Sequence, residues 1–221
     1  MQEIIKKNLL LIQEEIAPYK SNIIAVTKYF DQNAIISAYQ AGLRNFGESR
    51  VIEASEKINN LPIDIRFNSK FHFIGHLQSN KVKKAVEFFD YIHSVDTLKL
   101  AQKISEEACK INKKQKVFLQ VNNANEIQKS GFSIKTLYEN FENITKLDHI
   151  EVVGLMNMAP VDASDKELDE LFSEIANLQV DLQTRYNCKL IELSMGMSRD
   201  YKIAVRHGAT MLRIGRKLFS K

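Results

Sequence analysis

Cysteine is scarce in this chain. Cys109 and Cys188 are the only two, and no CxxC occurs. A disulfide framework is therefore not expected, and a reducing cytoplasm is the natural compartment. Long apolar runs are missing as well. The run Leu9-Leu10-Leu11-Ile12 is short and is followed at once by Gln13-Glu14-Glu15, so neither a signal peptide nor a membrane span is expected. A strong charge of one sign is also lacking, since the net charge is only +4. The densest basic clusters, Lys81-Val82-Lys83-Lys84 and Lys113-Lys114-Gln115-Lys116, lack the concentrated stripe with interleaved aromatics that nucleic acid requires. No GxGxxG follows the first strand, and neither a Walker A sequence nor HExxH appears, so the usual nucleotide and zinc-protease readings have no support. Internal repeats, linkers and low-complexity stretches are absent too.

What is present is a strict alternation of strands and helices. Strands are expected at 23–27, 43–46, 71–74, 91–95, 117–121, 152–156, 190–193 and 209–214, mostly as continuous apolar runs. Between them lie amphipathic helical patterns with start and stop signals. A helix over 2–17 carries Ile5, Leu9, Ile12 and Ile16 on one face. Asp31, Asp96, Ser133 and Ser198 are expected N-caps, and Ser164-Asp165-Lys166-Glu167 is a capping box. Buried runs alternating with helices indicate a parallel α/β sheet. Roughly eight such units in 221 residues match a (β/α)8 TIM barrel, typically about 250 residues. An open doubly wound sheet is the alternative. One domain over residues 1–221 is expected.

In such a barrel, chemistry collects at the C-terminal ends of the strands. The first strand, Ile23-Ile24-Ala25-Val26-Thr27, ends in Lys28. A lysine in an apolar frame is a candidate Schiff-base nucleophile, although most strand-end lysines point into solvent. The last two strand ends carry Ser194-Met195-Gly196-Met197-Ser198 and Arg213-Ile214-Gly215-Arg216. Glycines and hydroxyls beside helix starts suit an anion, and barrels frequently hold phosphate on the loops after strands 7 and 8. A lysine with a phosphate site suggests pyridoxal 5′-phosphate (PLP), and Arg213 is a candidate partner for its ring nitrogen. His72 and His76 read as pocket-edge or core histidines, and no metal site is expected.

The motifs Ala25-Val26-Thr27-Lys28, Asn45-Phe46-Gly47-Glu48, His72-Phe73-Ile74-Gly75-His76-Leu77-Gln78-Ser79-Asn80-Lys81 and His93-Ser94-Val95-Asp96 run through the first half of the chain. Gln120-Val121-Asn122 with Glu126 and Gly131, Gly154 to Pro160, Leu193 to Asp200 and Arg213-Ile214-Gly215 continue the series. Together they resemble the YggS/PROSC family of PLP homeostasis proteins. The resemblance implies a barrel like the N-terminal domain of alanine racemase, a fold-type III PLP protein. It implies Lys28 as the Schiff-base lysine. Ser194, Gly196 and the Gly215-Arg216 backbone would hold the phosphate. Arg213 would face the ring nitrogen, and Asn45 and Asn157 would lie near the cofactor. Ser49, Arg216 and Ser220 depart from the family's usual Asn, Thr and Gly.

Racemisation needs an acid–base group on each face of the substrate carbon. None of the tyrosines, Tyr29, Tyr39, Tyr91, Tyr138, Tyr186 and Tyr201 among them, is placed as the opposing base. In addition, no room is expected for a racemase-like second domain. The expectation is a monomeric, non-catalytic carrier that buffers PLP or delivers it to apoenzymes, with no catalytic residues. A weak PLP-dependent amino-acid racemase and a PLP-free aldolase-like barrel are the alternatives.

Overall fold

The computed structural model describes residues 1–124 and 130–220; Glu126 lies outside the described residues. Eight parallel strands close on themselves in chain order. They are β1 (Asn22–Val26), β2 (Asn45–Glu48), β3 (Lys70–Phe73), β4 (Tyr91–Val95), β5 (Gln115–Val121), β6 (Ile150–Asn157), β7 (Glu192–Met197) and β8 (Met211–Ile214). Closure comes from β1 pairing β8, with Ile24 opposite Arg213. The helices are α1 (Gln2–Ile16), α2 (Gln32–Gln40), α3 (Val51–Asn59), α4 (Ile63–Phe67), α5 (Val82–Phe88), α6 (Leu98–Lys110), α7 (Ile134–Thr145), α8 (Asp165–Tyr186), α9 (Tyr201–Arg206) and α10 (Arg216–Phe219). The alternation expected from the sequence is a closed (β/α)8 barrel, not an open sheet.

Strand residues alternate between two environments, as barrel geometry requires. One set, including Ile23, Ala25, Phe46, Phe71, Phe73, Ile92, Val117, Leu119, Leu155, Leu193 and Leu212, packs under the helices in one large apolar core. The helices meet it with their own stripes, such as Ile5, Leu9, Ile12 and Ile16 of α1 and Leu168, Phe172, Ile175, Leu178 and Leu182 of α8. The other set forms a small apolar cluster inside the barrel: Ile24, Phe118, Val153, Met156 and Met211.

The helix caps differ from expectation in two places. Asp31, Ser133 and the Ser164–Glu167 box cap their helices, but Thr97 rather than Asp96 caps α6. α9 starts only at Tyr201, after Asp200, so Ser198 is not its cap. The short helices α4 and α10 lack the periodic signal that reveals longer ones. The largest displacement is β7. Ile191 is 67% exposed, and the strand runs through Ser194-Met195-Gly196-Met197 instead of ending at residue 193. A serine and a glycine in sequence suggest a loop. Inside a barrel they are acceptable strand residues, because partners inside the barrel satisfy the hydroxyl.

Candidate functional site

Lys28 follows β1 directly and is partly buried. Its Nζ lies 5.0 Å from the centroid of the Tyr29 ring. It lines a cavity of about 550 Å³ together with Tyr29, Arg50, Glu53 and Lys57. The turn that carries it is clasped from behind. Buried Glu48 accepts from Thr27 Oγ1 at 2.7 Å and from Lys57 Nζ at 2.6 Å. Lys57 Nζ also donates to the carbonyls of Thr27 at 3.0 Å and Phe30 at 2.9 Å. Burial pushes the Glu48 carboxyl up from its ordinary value, against the pull of Lys57 and Thr27. The clasp therefore fixes the backbone on both sides of Lys28.

On the neighbouring strand β8, Arg213 points inward and is buried. Nη1 donates to the Ser194 carbonyl at 2.6 Å and to Ser194 Oγ at 2.7 Å, and Nη2 donates to the Asn157 carbonyl at 2.7 Å. Burial lowers its pKa to about 10, opposed by the more distant charge of Asp200. Among the described residues, no carboxylate forms a salt bridge with it. Asn157 ends β6, and its Nδ2 donates to Asn123 Oδ1 at 2.6 Å. Its Oδ1 is buried without a partner, so a free acceptor lies beside the guanidinium.

Three of the expected site residues thus touch one another: Asn157, Ser194 and Arg213. The Ser194 hydroxyl, however, is not on a phosphate loop. It is fully buried inside the barrel, accepting from Arg213 and lying 2.8 Å from His93 Nδ1. It sits in the strand because β7 continues past it.

Gly196 lies where the β7–β8 register shifts. Its φ is +89°, and a Cβ there would come within 2.7 Å of Ala204 Cβ, so only glycine lets the strand bulge against α9. Beyond it, Ser198 Oγ accepts from the Lys217 backbone N–H at 3.2 Å. That bond ties the exit of β7 to the start of α10. Gly215 leans on the end of β1, with its ideal Cβ 3.4 Å from Val26 Cβ. Arg216 opens α10 and is exposed. The loops after β7 and β8 therefore meet beside the strand that carries Lys28.

Asn45 is not brought to this rim. It opens β2 at the N-terminal end of the barrel, opposite Ile24 and four residues short of Lys28 along β1. Arg213 is also opposite Ile24, but its long side chain reaches the last residue of β6. The short Asn45 side chain instead bonds His72, with Oδ1 3.0 Å from Nε2.

His72 is a core histidine, one of the two expected readings, but the sequence does not show its pairing with His93: both are fully buried and linked at 2.9 Å. Burial lowers the pKa of His72 to about 3, with a smaller push from the charge of Lys70. Burial, then His72 and Arg213, holds His93 well below its ordinary value. The available signal was strand parity: His72 and His93 fall on the same face as Tyr91, whose ring stacks on His72 at 4.6 Å. His76, by contrast, is exposed at the rim, 3.7 Å from Asp96. The basic clusters have structural roles in part, since Lys113 donates to the carbonyls of Val86 and Phe89. Among the described residues no His, Cys, Asp or Glu group could hold a metal, and no helix is long and apolar enough to cross a membrane.

A closed parallel barrel with a lysine at the first strand exit, joined glycine-bearing loops after the last two strands and a buried arginine on the eighth places the chain in the class of (β/α)8 barrels. Comparison with known proteins narrows the class. Residues 2–220 match the family described as alanine racemase, N-terminal domain. A pyridoxal phosphate homeostasis protein of Synechocystis is 40% identical over 202 residues, covering 91% of this chain and 92% of that one. Its Escherichia coli counterpart is 32% identical over 203 residues, covering 92% and 86%. The solved structure of PipY from Synechococcus elongatus, with PLP bound, superposes with a TM-score of 0.88 at 36% identity, covering 98% of this chain and all of that one. An alanine racemase of Clostridium difficile shares the fold at a TM-score of 0.78 and 17% identity, and this chain spans 57% of its length. The chain belongs to the alanine racemase N-terminal domain family and, within it, to the pyridoxal phosphate homeostasis proteins.

Proposed function

We propose that this chain binds PLP reversibly through Lys28 and acts as an intracellular buffer and carrier of the cofactor. The carrying observation is the convergence on one rim of the Lys28 strand end, the joined loops after β7 and β8, and buried Arg213. PipY, its structural relative at 36% identity, holds PLP. The residues present suit the group: a primary amine for an aldehyde, a bulged glycine and a rim for a phosphate, and an orphaned acceptor at Asn157. When bound, PLP supplies an electrophilic aldehyde and an electron-withdrawing ring.

Lys28 would supply the amine that holds the aldehyde. The loops at Gly196–Ser198 and Gly215–Arg216 would hold the phosphate. Arg213 would partner the ring nitrogen, and a fixed positive charge there would disfavour its protonation and weaken the ring as an electron sink. Ser194 contributes by orienting Arg213, and Asn157 lines the same space. Asn45 is bonded to His72 inside the barrel rather than standing at the rim.

A carrier fits better than a robust enzyme. Racemisation needs a second acid–base group held opposite the lysine. Tyr29, the tyrosine beside Lys28, is 83% exposed rather than held. Tyr91, His72 and His93 are occupied inside the barrel. We further take the protein to be a cytoplasmic monomer built of one barrel domain. Unpaired Cys109 and Cys188 support the compartment, and a family match over residues 2–220 supports the single barrel.

The test is to load the purified protein with PLP, remove the excess and mix it with a PLP-dependent apoenzyme. Regain of apoenzyme activity with loss of the carrier's visible band is expected. Failure to take up PLP would overturn the proposal. The alternative, a weak racemase, requires that L-amino acids give D-isomers in a reaction abolished by Lys28→Ala.

A further inference from the structure

We propose that His93, backed by His72, is a positioning residue for Arg213: the two imidazoles form a one-way hydrogen-bond relay that holds the Ser194 hydroxyl as an acceptor for the guanidinium. The proposal rests on the reading that Arg213 faces the cofactor.

The direction of the relay follows from the one member that can only donate. A guanidinium has no acceptor, so at 2.7 Å Arg213 Nη1–H donates to Ser194 Oγ. Ser194 is fully buried, and its own proton needs an acceptor. His93 Nδ1 stands 2.8 Å away and accepts it. His93 therefore carries its proton on Nε2, which points at His72 Nδ1 at 2.9 Å. His72 Nδ1 accepts, so its proton is on Nε2, 3.0 Å from Asn45 Oδ1. Each proton finds one acceptor, and both imidazoles are neutral Nε2–H tautomers.

Running the chain the other way strands the buried Ser194 proton, at the cost of an unsatisfied donor. Protonating His72 sets its Nδ1–H against His93 Nε2–H at 2.9 Å, and protonating His93 sets its Nδ1–H against the Ser194 hydroxyl proton at 2.8 Å. Burial disfavours the charged forms as well. Packing holds the rings in place: His93 stacks on Phe118 at 4.1 Å, and His72 stacks on Tyr91 at 4.6 Å.

Arg213 needs this support. Its charge is buried and, among the described residues, has no salt-bridged carboxylate. Among the described residues, its guanidinium donates to two carbonyls and one hydroxyl. A hydroxyl free to rotate would turn its own proton toward the guanidinium for part of the time. The relay removes that state, so the fork points one way before any ligand arrives.

Two measurements test the relay. In the cofactor-free protein, ¹⁵N NMR of the histidine rings should report the Nε2–H tautomer for both His72 and His93 throughout the neutral range. An Nδ1–H tautomer at His93, or titration of either ring near neutral pH, would overturn the relay. For PLP binding, His93→Phe and Ser194→Ala should each weaken affinity by about tenfold. The double variant should be no weaker than either single one. His93→Asn keeps an acceptor near the Nδ1 position and should recover most of the loss. Additive losses, or an Asn variant as weak as Phe, would contradict the proposal. Should His93→Phe fail to fold, Ser194→Ala, His93→Asn and the NMR still decide. If the unmodified protein takes up no PLP at all, the proposed function fails, and the tautomers still judge the relay on their own.

Discussion

The two faces of the barrel wall are built by different rules. Outside, between strands and helices, the core is almost wholly apolar and continuous around the molecule. Inside, five buried apolar residues share the space with Asn45, His72, His93, Ser194, Arg213 and Asn157. The outer shell buries the larger apolar area, and such burial is the main driving force of folding. The interior carries polar groups that must each be paired. The wall thus separates stability from chemistry, and the strand parity that creates one creates the other.

Substitutions can probe this division in order of expected effect. Phe172→Ala, on the shell face of α8, should destabilise the protein by about 3–5 kcal/mol in urea unfolding, while the folded fraction binds PLP with unchanged affinity. Lys57→Met leaves Glu48 buried without its cation. Roughly 3 kcal/mol of stability should be lost, and because the turn at residues 27–30 loosens, the rate of PLP release should rise as well. This position lies behind the wall yet reaches the site, so it would sharpen the boundary between the two regions.

Arg213→Lys removes the planar fork. PLP affinity measured by titration should fall by about 2 kcal/mol, with a smaller shift in the unfolding midpoint than Phe172→Ala produces. An equal or larger loss of stability would break the comparison. The smallest effect is at Glu15, where Lys217, Tyr201 and Lys202 lower the carboxyl pKa from 4.5 to about 2. A carboxyl lowered in the folded state stabilises above its unfolded pKa and loses that contribution as pH falls. Glu15→Gln should therefore cost up to about 1 kcal/mol at neutral pH, and its deficit should vanish between pH 4.5 and about 2.

The shell was legible in the sequence because it obeys periodicity. Ile5, Leu9, Ile12 and Ile16 announced α1, and Val117-Phe118-Leu119-Gln120-Val121 announced β5. Lys28 was legible as a strand end. The interior was harder to read. Ser194 and Gly196 look like loop residues, so β7 was ended too early and the serine was expected at a phosphate. Inside the barrel it is a paired strand residue. His72 and His93 look like unrelated residues 21 positions apart, and only the pairing of neighbouring strands brings them together. β2 begins at Asn45 rather than at Leu43, so Asn45 opens the strand, and its partner His72 is set by the pairing with β3. Polar residues inside a barrel carry no periodic apolar signal, and their partners are fixed by register.

The most direct measurement is borohydride reduction of the PLP-loaded protein followed by peptide mass mapping. A reduced pyridoxyl group on Lys28 alone, absent after Lys28→Ala in a variant with an unchanged unfolding midpoint, is the expected result. Labelling spread over exposed lysines with Lys28 unmodified would contradict the assignment of this strand end as the tether.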